Sequence, residues 1–296
     1  SEFTPEVTTK AVKLALTEML QTGTTTFNDM YNPNGVEIGQ IYEVVARSKM
    51  RCYFSPTLFS SDVDTAEETL ARTRVIIEKI LSYNDDRFKV MVAPHAPYSC
   101  SKDLLKGSLE LARELQLKLH IHVAETQAEN GMILERYGKR PLAFLKELGY
   151  LEHEGIFAHG VELNEREIAE LTASKIHIAH NPISNLKLAS GIAPVTDLIQ
   201  AGVTVGLATD SVASNNNLDM FEESRTAALL QKMRTGDATQ FTIEQALKTM
   251  TIEGAKALGM DDQIGSLEVG KQADFLIIQP KGKVHLYPEE KMLSLL

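Results

Sequence analysis

Apolar and polar positions along this chain fall into one repeating unit: a short run rich in β-branched residues, a polar break, then a longer stretch with apolar side chains at helical spacing. A helix comes first, over 5–21, with Val7, Val12, Leu14, Leu16, Met19 and Leu20 at helical spacing and Gly23 as its stop. Strands then alternate with helices: 24–29 and 35–48; 51–57 and 65–81; 89–95 and 102–116; 118–125 and helical segments to 148. The unit continues with 155–160 and 165–173, where Asn164 and Glu167 form a capping box, then 175–182 and 195–201, and finally 203–210 and 218–233. Beyond these lie a helix over 242–258, a turn over 265–270 and a strand over 273–278 that reads as the remnant of a small β-domain.

Seven strands alternating with helices imply parallel βαβ units, arranged as an open doubly wound sheet or a closed barrel. The strand ends favour the barrel. His95, Glu125, His159, His180 and Asp210 each end a different strand, and a closed ring brings such ends around one opening. A (β/α)8 barrel needs eight strands and this chain starts on a helix, so the first strand is expected to be absent. Its two neighbours would then carry unpaired edges prone to self-association, a route to a homo-oligomer. Residues 1–260 are read as the barrel, strands two to eight, and 261–296 as part of the β-domain and a tail.

A formal charge of −10 and a pI near 5.4 argue against a protein that grips nucleic-acid backbone and favour a small uncharged or cationic ligand. No apolar run approaches the ~18 residues of a membrane span, and no signal peptide is apparent. Cys52 and Cys100 lack metal spacing and read as reduced thiols of a cytoplasmic protein.

The candidate chemistry centres on KLHIHVAET, 118–126. Alternation turns His120 and His122 to the face opposite Leu119, Ile121 and Val123, and Glu125 follows where the strand gives way to a loop. His122 and Asp210 suit a metal: imidazole nitrogen and carboxylate oxygen hold zinc and its relatives, and Asp210 ends the apolar run VTVGLATD, where an uncompensated carboxylate is costly. The plainer alternative for Asp210 is a turn or helix cap. Glu125 is placed for acid–base work, or else caps the next helix. His159, in IFAHG, would ligate, hydrogen-bond an attacking hydroxide, or fill the core; the second is favoured. His95 and 181–185 lie on strand-end loops suited to ligand contact, and Ser214 is a ligand donor or a helix cap. His120 lies ~6.6 Å along the strand from His122, a layer deeper, so the pair need not share an ion.

Taken in order, HIHVAET, IFAHG, IAHNPISNLKLASGIAPV, GLATDSVASNNNLDM and GSLEVGKQADFLII resemble the amidohydrolase superfamily, and within it the 5-methylthioadenosine/S-adenosylhomocysteine deaminase branch. The resemblance runs from about Thr4 to Ile278. It implies His122 as a metal-binding histidine, Glu125 as the group that protonates the purine ring, and His159 beside the attacking water. It implies Asp210 as both metal ligand and proton acceptor, and His95 and Ser214 as nucleoside contacts. The implied cofactor is one divalent metal ion, zinc being the expectation, and the partner is a small nucleoside. The family's first-strand His-x-His pair is not in this sequence, nor is any Trp. The chain as given is therefore expected to hold metal poorly and turn over little. Other readings stay open: a sister amidohydrolase such as a guanine deaminase or triazine chlorohydrolase, or a nucleoside-binding protein without catalysis.

Overall fold

The computed structural model describes residues 4–31 and 36–278. Its elements are α1 (Pro5–Gln21), β1 (Thr26–Tyr31), α2 (Ile38–Ser48), β2 (Arg51–Leu58), α3 (Ala66–Ser82), β3 (Phe88–Val90), β4 (Ala93–Pro94), α4 (Lys102–Leu115), β5 (Leu119–Val123), α5 (Gln127–Tyr137) and α6 (Pro141–Leu148). They continue as β6 (Gly155–His159), α7 (Glu165–Thr172), β7 (Ile176–His180), α8 (Pro182–Lys187), α9 (Val195–Gln200), β8 (Val205–Leu207), α10 (Met220–Thr235), α11 (Ile243–Met250) and α12 (Ile252–Leu258). Several helices start where short polar side chains meet the orphan amides of the first turn. Thr65 with Glu68, and Asn164 with Glu167, form reciprocal capping boxes, while Ser101 and Thr126 accept from the third residue of their helices.

All strand pairs are parallel, in the orders β1-β2-β3 with β4 also on β2, and β5-β6-β7-β8. A bridge between Val92 and Leu119 joins the two sets, and His120 N donates to Val92 O at 3.0 Å, so one parallel wall runs from β1 to β8. This is the expected α/β barrel arrangement, and among the described residues nothing pairs β1 with β8. Instead α1 reaches across. Thr22 Oγ1 donates to Leu218 O at 3.0 Å, and Leu218 N donates to Glu18 Oε1 at 3.0 Å.

Several expected elements differ. The strand over 89–95 splits into β3 and β4 around Met91 and Val92, both fully buried. The helix over 242–258 breaks at Thr251, whose φ of −125° and ψ of −96° leave helical space. The stretch 181–185, read as a strand-end loop, instead caps and opens α8, with Pro182 at the first helical position, where its missing N–H costs nothing. No strand forms over 273–278: Phe275, Leu276, Ile277 and Ile278 are exposed, and among the described residues no neighbouring strand takes their backbone groups. The segment 279–296 of the proposed β-domain lies outside the described residues.

Leu58, Ile77, Leu104, Leu105, Leu119 and Ile121 are fully buried between wall and helices. A second cluster fills the end where the strands begin: Tyr53, Met91 and Ile156 meet Ala255, Leu258, Met260 and Ile264, and Tyr53 Oη donates to Leu258 O at 3.0 Å. Helix α12 thus closes the barrel floor, which requires it to approach β8 closely. A Cβ on Gly206 would lie 3.2 Å from Gly254 Cα and 3.6 Å from Gly254 N, backbone atoms that no rotamer can move. Gly206→Ala is accordingly expected to lower stability by about 1–3 kcal/mol in urea unfolding; an unchanged midpoint would show that the floor is not packed as described.

Candidate active site

The residues at the ends of β5, β6 and β8 share a backbone peculiarity. Ala124, His159 and Asp210 have φ of 54°, 74° and 59°, the left-handed region that residues with a Cβ avoid. Each turn redirects the chain at the top of its strand, and the bonds around it account for why it is held.

After β5, the chain is pinned from both sides. Gly160 N donates to Val123 O at 3.1 Å and Glu162 N to Ala124 O at 2.8 Å. The amides of Ala124 and Glu125 donate to Glu129 Oε1 and Oε2 at 3.1 and 2.7 Å. Glu129 is buried, and desolvation raises its pKa to about 7 against those bonds. Glu125 then extends toward the barrel mouth, its side chain 15% exposed, with Oε2 3.9 Å from His159 Nε2. Burial, offset by His122, raises the pKa of Glu125. A carboxyl poised to hold and release a proton is what a general acid–base group needs.

Three histidines are read by their partners. His122 Nδ1 lies 2.7 Å from His95 O; a carbonyl only accepts, so the proton sits on Nδ1 and Nε2 keeps its lone pair. His120 is the reverse. Ser55 Oγ donates to Asn28 Oδ1 at 2.8 Å, which orients that amide so that Asn28 Nδ2 donates to His120 Nδ1 at 3.1 Å. His120 therefore carries its proton on Nε2 and cannot offer that atom to an ion; burial keeps it neutral, its pKa pushed down to about 3. The His120-x-His122 pairing is thus not a metal motif here, and Asn28 serves as the clamp on His120. His159 is 1% exposed, its Nδ1 2.8 Å from Asn185 Oδ1, and desolvation lowers its pKa, leaving it neutral.

Asp210 accepts Ser184 Oγ and Ser214 Oγ on Oδ2 at 2.5 and 2.8 Å, and Ser211 N on Oδ1 at 2.7 Å. Burial would raise its pKa, but these bonds and His159 hold it below the usual carboxylate value. Behind it, buried Glu223 accepts Ile183 N at 3.2 Å and the amide of Asn215, which also donates to Thr209 O at 2.7 Å. His95 stands at the rim, its ring centroid 4.8 Å from His122 and 4.4 Å from Phe59, with Nδ1 2.7 Å from Ser99 Oγ. His122 and His159 stack at 5.3 Å. The structure thus gathers His95, His122, Glu125, His159 and Asp210 at one mouth, with Ser214 on Asp210 rather than capping a helix, since Asp219 caps α10.

Sequence reasoning passed over Glu129 and Glu223, and took in Ser184 only as part of the ligand-contact stretch 181–185. Only Glu129 left a signal, as the fourth residue of Thr126-x-x-Glu129, a capping-box spacing ahead of a helix. For a metal ion the donor set is incomplete. His122 Nε2 is free to ligate and Asp210 is ionised, yet among the described residues no three His, Cys, Asp or Glu side chains gather closely enough to hold an ion.

The sequence pattern of the amidohydrolase family matches residues 2–292. The chain belongs to that family. A 5-methylthioadenosine/S-adenosylhomocysteine deaminase of Bacillus cereus is 47% identical over 99% of this chain and 67% of its own length. An adenosine deaminase of Xanthomonas campestris, solved with bound zinc, is 36% identical with a TM-score of 0.84, covering 92% of this chain and 61% of that one. A zinc-bound atrazine chlorohydrolase of Arthrobacter aurescens, 24% identical with a TM-score of 0.83 over 92% of this chain and 64% of its own, shares the fold. The chain thus spans about two thirds of the curated amidohydrolase it matches and less of the solved ones.

Among this amidohydrolase's histidines, His180 stands apart: it is 1% exposed and neither ring nitrogen has a hydrogen-bond partner among the described residues. Burial, with His159 adding to it, pushes its pKa down to about 3. The unfolded chain takes up a proton here near the ordinary value of 6.5 and the folded chain does not, so this residue's share of stability is lost as pH falls below 6.5. His180→Leu is expected to gain on the parent by roughly 1.4 kcal/mol per pH unit below 6.5. Urea unfolding at pH 7 and pH 5 measures the difference; equal shifts in both proteins would contradict it.

Proposed function

We propose that this chain carries the acid–base groups of a hydrolytic deaminase acting on the adenine ring of 5-methylthioadenosine, S-adenosylhomocysteine or adenosine. The observation that carries the reading is the convergence of Glu125, neutral His159 and ionised Asp210 on one mouth, with Glu125 Oε2 3.9 Å from His159 Nε2. The names of the Bacillus and Xanthomonas relatives support the substrate class.

In this reading, water adds to C6 of the ring. Asp210, an anion whose proton affinity is kept low, takes the proton the water gives up, and His159 orients the water by hydrogen bonding. Glu125 delivers a proton to N1 as the C6–O bond forms. Asp210 then returns its proton to N6, the C6–N6 bond breaks and ammonia leaves, and the C6 hydroxyl gives its proton to Glu125, so that the carbonyl of the hypoxanthine analogue forms and Glu125 is protonated again. His95 and Ser214 are the proposed nucleoside contacts; His95 offers a ring face at the rim, and its pKa, pushed down to about 4 mainly by burial, keeps it neutral beside a neutral base.

His122 and Asp210 are the proposed contacts to a divalent ion, zinc by the precedent of the Xanthomonas structure. Two such groups are fewer than the three protein ligands a catalytic zinc site supplies. Purified without chelator, the chain is expected to retain well under stoichiometric zinc and to release little ammonia from 5-methylthioadenosine. Stoichiometric zinc would show that ligands have been overlooked.

In whatever length of the chain releases ammonia from 5-methylthioadenosine, Glu125→Gln should lower kcat by roughly 10²- to 10⁴-fold and leave metal content unchanged. An unaltered kcat would remove Glu125 from the chemistry. Binding of 5-methylthioadenosine with no ammonia at any length would favour a nucleoside-binding protein instead.

A further inference from the structure

We infer that Glu129, which touches no reacting atom, is the positioning residue that aims Glu125 into the site. The inference rests on the role given to Glu125 above, but its geometry stands independently. Between β5 and α5 the chain turns through left-handed Ala124 and emerges at Glu125. The backbone groups through this turn are spoken for: the carbonyls of Val123 and Ala124 accept from the β6 loop, and the amides of Ala124 and Glu125 donate to the two oxygens of the Glu129 carboxylate.

That carboxylate is placed differently from an ordinary cap. Thr126 already caps α5 by accepting Glu129 N at 3.1 Å, which leaves the Glu129 side chain free to reach past the cap to the two residues before it. Residue 129 is 1% exposed, so water does not substitute for either bond, and two adjacent N–H donors require two acceptor oxygens at fixed separation. Only a carboxylate supplies both. Gln offers one carbonyl oxygen and turns an NH2 toward the other amide; Asp is a methylene short. The position of the Glu125 side chain is therefore set by the plane of another carboxylate four residues on.

The test is Glu129→Gln, which keeps the volume. Amide hydrogen exchange followed residue by residue should show Ala124 or Glu125 losing at least tenfold protection while Ile133, buried farther along α5, keeps its own. In a form that deaminates 5-methylthioadenosine, kcat should fall ten- to a hundredfold with KM within twofold, and Glu125→Gln/Glu129→Gln should be no slower than Glu125→Gln alone, because Glu129 acts through Glu125. Should Glu129→Gln not fold, Ala124→Gly/Glu129→Gln is used, since glycine accepts the left-handed turn without strain. Unchanged exchange at both amides, protection lost equally along α5, or kcat effects that multiply would each overturn the inference. Local loss of protection with no ammonia from any form would uphold the positioning of the turn and reject the catalytic reading of Glu125.

Discussion

Three left-handed turns, at Ala124, His159 and Asp210, set the direction in which the site's side chains leave the strands. In a residue bearing a Cβ such a conformation costs roughly 1–2 kcal/mol, and three together approach the whole stability of a marginal domain. None is glycine, so each must be held by its surroundings. The holding groups are buried and polar: Glu129 behind Ala124, Asn185 on His159, and Ser184 and Ser214 on Asp210, with Glu223 bracing the loop behind them. A hydrogen bond to a charged group contributes about 1.5–3 kcal/mol, enough to offset the turn at Asp210, while the neutral His159–Asn185 bond contributes about 0.5–1.5 kcal/mol. Strain kept at strand ends and offset from behind is how a rigid barrel presents side chains at fixed angles.

The same principle sorts the histidines. Each ring near the mouth is neutral because burial disfavours its charge, and its role follows from which nitrogen a neighbour claims. His122, tied through Nδ1 to a carbonyl, faces the site with a lone pair; His120, two residues away on the same face of the strand, is tied by an amide donor and faces inward with a proton. Adjacent identical residues thus acquire opposite chemistry. The floor serves the same end, since α12 packed on β8 fixes the strand that leads to Asp210.

Much of this was legible in the sequence. Apolar runs giving way to a polar residue marked His95, Glu125, His159, His180 and Asp210 as strand ends, and βα alternation pointed to the parallel wall. What stayed hidden depends on contacts far apart in sequence or on backbone geometry without a residue signature. Nothing in Ala124 announces a positive φ, and the tautomer of His120 depends on Asn28 and Ser55, residues on two other strands. Likewise, the break at Thr251 and the split between β3 and β4 interrupt patterns that read as continuous, because packing overrides local periodicity.

The central claim is that the site is preformed by these turns and not assembled when a ligand arrives. A crystal structure of the chain without nucleoside, at a resolution that fixes individual peptide planes, tests it most directly. The account predicts positive φ at Ala124, His159 and Asp210 together, with both Glu129 oxygens on the amides of Ala124 and Glu125. Extended backbone at any of the three, or a Glu129 carboxylate turned away from that turn, would contradict it.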